Sequence, residues 1–345
     1  MVKKLSSTYA LLAAACYGVS VPVSKLLLGH ISPAFMAALL YLGAGFGMLI
    51  VNVFRRDKRI EAHITKREFP YAVTMVALDI AAPILLMYGL ELTSASTVSL
   101  LSNFEIVATT VLALAIFKEA VGRRMWVAVL LITLASAVLS VDAANDFKLS
   151  PGAVLVIAAC LCWGIENNLT NKLSLKDPLQ IVMIKGFGAG AGALIISVCT
   201  GAVTLNPVWD AAALLLGLVS FGLSIYFYIL SQRYIGAART SAYYAFAPFI
   251  GAVLSFAFFQ EAFTPAFFAA LVLMAAGAYM AASERHAHQH LHEPMAHEHR
   301  HSHDDSHHDH EHNPPVSGEH SHVHVHTAVT HSHTHTPDLH HIHRH

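Results

Sequence analysis

The chain carries ten apolar segments, each about as long as a bilayer is thick, joined by short links. A helix needs about 20 residues to cross roughly 30 Å of hydrocarbon. The candidates run over 7–29, 33–54, 70–90, 94–117, 124–141, 150–173, 178–200, 208–230, 238–260 and 263–283. Lipid offers backbone groups no partner, so segments of this kind have to cross as helices. Several links are punctuated by proline or glycine, as in HISP at 30–33, LSPG at 149–152 and LKDP at 175–178. Composition agrees: 12% of residues are charged, half the roughly 25% of a soluble domain. The expected fold class is all-α integral membrane, with ten transmembrane helices.

Charge then divides the chain. Residues 1–283 hold 18 Lys and Arg, 13 Asp and Glu and two histidines, whereas 284–345 hold 23 of the 25 histidines. Within the first part, the basic residues orient the spans. With the N-terminus inside, 15 fall on the inner side: Lys3, Lys4, six within 55–69, Lys118, Arg123, Arg124, Lys172, Lys176, Arg233 and Arg239. Only Lys25 and Lys148 fall outside, and Lys185 lies within a span. Both termini are therefore expected in the cytoplasm of a cell with an inner (plasma) membrane of bacterial type.

The spans also repeat. ACYGVSVPVSKLLL (15–28) resembles CLCWGIENNLTNKLSL (160–175), with Cys16-Tyr17-Gly18 on Cys162-Trp163-Gly164. SPAFMAALLYLGAGFGMLI (32–50) matches DPLQIVMIKGFGAGAGALI (177–195) at a constant offset, and FEIVATTVLALAIFKEA (104–120) matches FAPFIGAVLSFAFFQEA (246–262). A five-helix unit appears over 1–145 and again over 146–283. Five is odd, so the second copy enters the membrane inverted, an architecture common in secondary transporters. The repeat also argues against reading Lys3, Lys4 and the first apolar run as a cleaved signal peptide, since that run has a partner deep in the chain. A non-transporting scaffold built by duplication is the blander alternative.

Two five-helix halves, a glycine-rich second helix and a phenylalanine-x-Glu-Ala ending on the fourth helix of each half (FKEA at 117–120, FQEA at 259–262) resemble the drug/metabolite transporter superfamily, EamA type. The resemblance covers about 1–283 and implies a ten-helix basket whose central cavity is lined mainly by spans 1, 3, 4, 6, 8 and 9. It implies a carrier of amino acids, nucleosides, sugars or other metabolites. One departure is local: span 9 keeps Pro248, while the matching stretch of span 4 reads Phe104-Glu105-Ile106.

Ionisable groups inside a membrane are costly and call for a partner and a role. Four stand out: Asp79, Glu105, Glu166 and Lys185. Spans 6 and 7 turn near 175–176, and Glu166 and Lys185 each lie about 14 Å from that turn by helical rise, which makes them candidate ion-pair partners. Asp79 and Glu105 lie equally far from the turn near 92, and two carboxylates at one depth cannot easily both ionise. Glu166 is followed by Asn167 and Asn168, so a cavity face is expected there; a structural lock with Lys185 is the alternative. Ser20 falls opposite Glu166 in the repeat register, and Tyr243 and Tyr244 open span 9; these join the substrate-binding candidates. Glu91 and Glu119 sit at helix ends. Cys16, Cys160, Cys162 and Cys199 lie in apolar spans and read as small core residues. No phosphate loop, nucleophile constellation or dinucleotide fingerprint occurs, so neither an enzyme nor an ATP-driven pump is expected.

The tail alternates histidine with other residues. His286, His288, His290 and His292 are followed by His297, His299, His301 and His303, then His307, His308, His310 and His312. His320, His322, His324 and His326 come next, then His331, His333 and His335. In an extended chain, residues i and i+2 share a face, so each HxH unit offers two imidazoles to one ion. Neutral imidazole suits Zn, Ni, Co and Cu. With few apolar residues, the metal-free tail is expected to be disordered, and its charge would rise as pH falls through about 6.5, a pH-sensing alternative.

Two functions of different class follow: a carrier of a small organic metabolite whose tail buffers or senses metal, or a transition-metal carrier whose tail is a cytosolic acceptor or donor. Against metal cargo stands the want of an intramembrane histidine or a paired thiol site; for it stands the tail. A non-transporting metal receptor is a third. The lipid bilayer and a small-molecule substrate are the expected partners, with transition-metal ions at the tail. No cofactor is required and no nucleic acid is expected; a homodimer is left open.

Overall fold

The computed structural model describes residues 2–55, 64–66, 68–117, 122–142, 148–173, 176–235, 240, 243–283 and four stretches of the tail. Among the described residues up to 283 the regular structure is helical, apart from a two-residue antiparallel bridge between β1 (Val141–Asp142) and β2 (Lys148–Leu149). The helices are α1 (Val2–Gly18), α2 (Ser20–Leu27), α3 (Pro33–Phe54), α4 (Phe69–Leu92), α5 (Ala95–Leu101), α6 (Phe104–Phe117) and α7 (Arg123–Ser140). They continue as α8 (Pro151–Leu173), α9 (Pro178–Cys199), α10 (Pro207–Gly217), α11 (Ser224–Ile235), α12 (Ala247–Phe259) and α13 (Pro265–Ala282). Among the described residues, nine spans are long and apolar enough to cross a membrane, and α12 is a shorter apolar helix of 13 residues.

Local chemistry explains where many of them start. Asp177, Asn206 and Thr264 each precede a proline at the first turn, and each accepts a backbone N–H of that turn, from Leu179 (3.0 Å), Val208 (3.2 Å) and Phe267 (3.1 Å). The cap satisfies an orphan donor and the proline has none to lose. α9 ends at Thr200 and Gly201, whose φ of 66° lets the Ala202 N–H reach back to Ser197 O at 2.8 Å.

Several expected single spans are broken. The first divides at Val19 and the fourth at Ser102–Asn103, while the eighth holds a π-helical segment, Leu218–Leu223, between α10 and α11. Such insertions in an α-helix recur at functional sites.

The largest contact surfaces pair α3 with α9, α4 with α8, α7 with α13 and α1 with α11. α3 and α9 meet backbone to backbone: a Cβ on Gly186 would lie 2.4 Å from Gly45 N. In lipid such close approach, rather than water exclusion, drives helix association. A second close approach joins α1 to α12, where a Cβ on Gly251 would lie 3.0 Å from Gly18 O and 2.8 Å from Ser99 Oγ.

The two ends of the bundle are tied differently. At the end away from the start of α1, Glu261 accepts the backbone N–H groups of Ala95 (2.9 Å) and Ser96 (3.1 Å), a carboxylate at the positive end of α5. Lys25 Nζ there donates to Leu90 O (2.5 Å) and Thr93 O (2.9 Å), a cation at the negative end of α4. At the opposite end, Arg55 pairs with Asp177 (2.8 Å) and Lys176 with Glu68 (3.1 Å).

The tail, expected to lack structure, is extended and paired in its described stretches. β3 (His286–His292) runs antiparallel to β6 (Val329–His335), and β4 (Met295–His301) to β5 (His320–His326). The HxH alternation that suggested metal binding is also the period of a strand. The register sets His288 against His333, His290 against His331, His297 against His324 and His299 against His322. His303, His307, His308, His310 and His312 lie outside the described residues, as do Lys118, Glu119 and Arg239.

Candidate functional site

Two polar groups are built on α8, one turned into the protein and one toward its margin. Lys185, from α9, places Nζ 2.9 Å from Glu166 Oε1 and 3.4 Å from Asp79 Oδ2. The Tyr41 hydroxyl on α3 donates to Asp79 Oδ1 at 2.9 Å, with the Trp163 indole beside the same hydroxyl. Thr170, one turn along α8, donates to Glu166 Oε1. Asp79 is 0% exposed, Glu166 2% and Lys185 5%, so α3, α4, α8 and α9 enclose the cluster completely. One ammonium shared between two carboxylates leaves an excess negative charge when both are ionised, and the surroundings offer no water to screen it.

The second group is less enclosed. Asn167 Nδ2 donates to Glu105 Oε1 at 2.5 Å and reaches Thr109 Oγ1 at 3.5 Å. Asn168 donates to Gly164 O (2.8 Å) and Thr109 O (3.1 Å), tying α8 to α6. Where α6 approaches α8, a Cβ on Gly164 would lie 2.6 Å from Ala108 Cβ, so this glycine admits the contact that brings Asn167 to Glu105. Glu105 and Asn167 are half-buried. Among the described residues no Lys or Arg pairs with Glu105. Glu105 lies close enough to Tyr17 and Tyr244 for their charges to interact. Those two rings pack with centroids 5.6 Å apart, Tyr228 meets Tyr244 edge-on at 4.9 Å, and Phe221 lies against Tyr17 at 6.0 Å.

Helical rise sets Asp79 and Glu105 at one depth and leaves their directions open. The structure separates them: Asp79 belongs to the Lys185 cluster and Glu105 to Asn167, and Glu166 lies within electrostatic reach of both. Of the other candidates, Tyr244 joins the aromatic group and Tyr243 does not. Ser20 is 1% exposed with no hydrogen bond from its hydroxyl. Tyr17, Tyr41, Thr109 and Tyr228 were not singled out by sequence. Tyr17 had a signal, its place in the repeated Cys-aromatic-Gly triplet; Tyr41, in an unbroken apolar run, had none. Among the described residues, no group of three or more His, Cys, Asp or Glu side chains is placed to hold a metal ion.

A bundle of apolar spans with ionisable side chains held inside it defines a polytopic membrane protein. The EamA-like transporter family model matches the chain twice, over residues 4–141 and 150–283, and the chain belongs to that family. It is similar to an uncharacterized transporter of Methanothermobacter thermautotrophicus, at 27% identity over 72% of this chain and 77% of the relative. A second relative, the uncharacterized transporter YyaM of Bacillus subtilis, is 23% identical over 70% of this chain and 81% of its own. A solved crystal structure aligns with a TM-score of 0.60, covering 81% of this chain and 96% of that one at 14% identity, a likeness of fold. The protein is a multi-pass membrane transporter of small solutes.

Proposed function

We propose that the chain is a secondary carrier that moves a small organic metabolite by alternating access between two five-span repeats of opposite orientation. Asp79, Glu105, Glu166, Asn167, Asn168 and Tyr244 serve the cargo and the gradient that drives it. It resides in the inner (plasma) membrane with both termini in the cytoplasm, as the distribution of Lys and Arg supports. The observation that carries the reading is Glu105: a half-buried carboxylate on a span, held by the Asn167 amide, with no Lys or Arg paired to it among the described residues and within electrostatic reach of Tyr17 and Tyr244. A carboxylate kept at such depth without a cation is costly to the fold. It is retained for something that arrives.

The tail is a transition-metal buffer or sensor in this reading. The reading rests on the alternation of histidine along the tail, whose imidazoles suit such ions, since among the described residues no group of three or more donors converges. Elemental mass spectrometry on cells carrying the full chain, a 284–345 deletion or Glu166→Ala separates this from metal cargo. Tail deletion alone is expected to change cellular Ni, Co, Zn or Cu, with Glu166→Ala without effect. A metal shift that disappears in Glu166→Ala would make the metal the cargo.

A further inference from the structure

The side chains around Glu105 combine three things rarely found together by accident of packing. One is a carboxylate with no cationic partner among the described residues, oriented by the Asn167 amide at 2.5 Å. The next is a group of electron-rich rings beside it, Tyr17, Tyr228 and Tyr244, whose neighbouring centroids lie 5.6 and 4.9 Å apart. The last is a local surplus of carboxyl groups over cations. Lys185 offsets only one of Asp79 and Glu166, and Glu105 feels Glu166 as well as Lys185. Glu105, Asn167, Tyr17, Tyr228 and Tyr244 are each half-buried, less enclosed than Asp79, Glu166 and Lys185.

Aromatic faces attract cations through their quadrupole, and an ammonium over tyrosine is one of the better arrangements for it. A carboxylate at the edge of such a ring group adds charge and direction. An anion would meet the same field as repulsion, and a neutral solute would gain nothing from leaving Glu105 without a counter-charge. Resting on the carrier reading above, we infer that the cargo is an organic ammonium, a protonated amine or a quaternary ammonium, held by Glu105 and flanked by Tyr17 and Tyr244. Beside Tyr17 the space between Ser99, Ser102, Pro248 and Gly251 is small, with a volume of about 10 Å³. That is room for one water at most.

The test uses the purified full chain in proteoliposomes, with choline and tyramine as probes. Dimethylbutanol serves as the neutral isostere of choline, and benzoate as an anion. Counterflow and thermal stabilisation are both read. Choline or tyramine is expected to exchange and to raise the melting temperature, and the neutral and anionic probes to do neither. Glu105→Gln should weaken binding on the order of a hundredfold, as loss of a buried charge partner does. Tyr244→Leu should weaken it roughly tenfold, and Tyr244→Phe much less, because the ring face is kept. Glu105→Asp guards against misfolding: it should bind the cations measurably and elute as the wild type does. Exchange of dimethylbutanol or benzoate without exchange of the cations would overturn the inference while leaving the carrier reading intact. Cation exchange unaffected in Glu105→Gln would overturn it too. No exchange of choline or tyramine, with no thermal shift, would overturn the inference and leave the carrier reading to solutes of another class.

Discussion

Two helix pairings at corresponding places in the duplicated chain are held together by different chemistry. Where α4 meets α8, the Lys185 ammonium from α9 spans Asp79 and Glu166 across the interface. Where α1 meets the π segment and α11, two serines suffice: Ser220 donates to Cys16 O at 2.8 Å and Ser224 to Ala13 O at 2.9 Å. In the repeat register the charged residues answer to uncharged ones, Glu166 to Ser20, Lys185 to Leu40 and Glu105 to Ala247. All three counterparts are buried. The scaffold can therefore be assembled with hydroxyls and close packing alone. Charges on one side add a desolvation cost that a neutral core would avoid.

The comparison is open to breakage at several points. Lys185→Met removes the only cation from the cluster and should cost about 3–5 kcal/mol, the usual penalty for stranding a buried charge. Denaturant unfolding in detergent would measure it. The triple change Asp79→Asn, Glu166→Gln, Lys185→Met should recover most of that loss, since a neutral cluster strands nothing. If the triple variant is as unstable as the single one, the cluster is a fold-defining lock and not a charged site tolerated by a neutral scaffold.

Gly186→Val tests the packing shared by both halves. A side chain there meets the backbone of Gly45 at 2.4 Å from its first carbon, so α3 and α9 must separate. Overpacking of this kind typically costs about 1–3 kcal/mol, and here the obstacle is backbone. A lowered melting temperature with unchanged helical content is expected.

Ser220→Ala, which loses the bond to Cys16 O, should cost about 1 kcal/mol, the worth of one hydrogen bond, read as a lowered melting temperature. The smallest effect belongs to Glu68, whose bridge to Lys176 lies at the end of the bundle, with its side chain 24% exposed. Burial raises this carboxyl, but the Thr65 N–H and Lys176 pull harder and hold it below the ordinary carboxylate range. A depressed folded value means the stabilisation is present above the unfolded pKa of about 4.3 and is lost as pH falls through the folded one. Glu68→Gln should therefore lower stability by at most about 1 kcal/mol at neutral pH, and by progressively less in acid.

Much of the scaffold could be read from composition. Proline after Ser32, Asp177, Asn206 and Thr264 marks where helices begin, because a cap followed by a donorless residue is a local property. The break at Val19 has its signal beside it: Gly18 stands just before, and Pro22, with no N–H, leaves the Gly18 carbonyl without an i+4 donor. The break at Ser102–Asn103 carries no proline or glycine, and neither it nor the π segment at 218–223, which packs against α3, was legible. Helical rise sets Glu166 and Lys185 at one depth, and their atoms lie 2.9 Å apart. Rise says nothing of azimuth. That is why Asp79 could be matched with Glu105 on paper, while in space it turns to Tyr41 and Lys185. In the tail one pattern carries two readings: alternate histidines are donors, and the same alternation is the period of a strand.

The most direct measurement asks whether the charged side of the comparison serves cargo. Proteoliposomes holding the full chain or the triple neutral variant would be incubated with a mixture of cationic, zwitterionic, neutral and anionic solutes, and their contents read by mass spectrometry. The wild type should accumulate solutes of the ammonium class; the triple variant, folded and of near wild-type stability, should accumulate none. A triple variant that takes up the same solutes at the same rate would contradict the account and leave the buried charges without a part in transport.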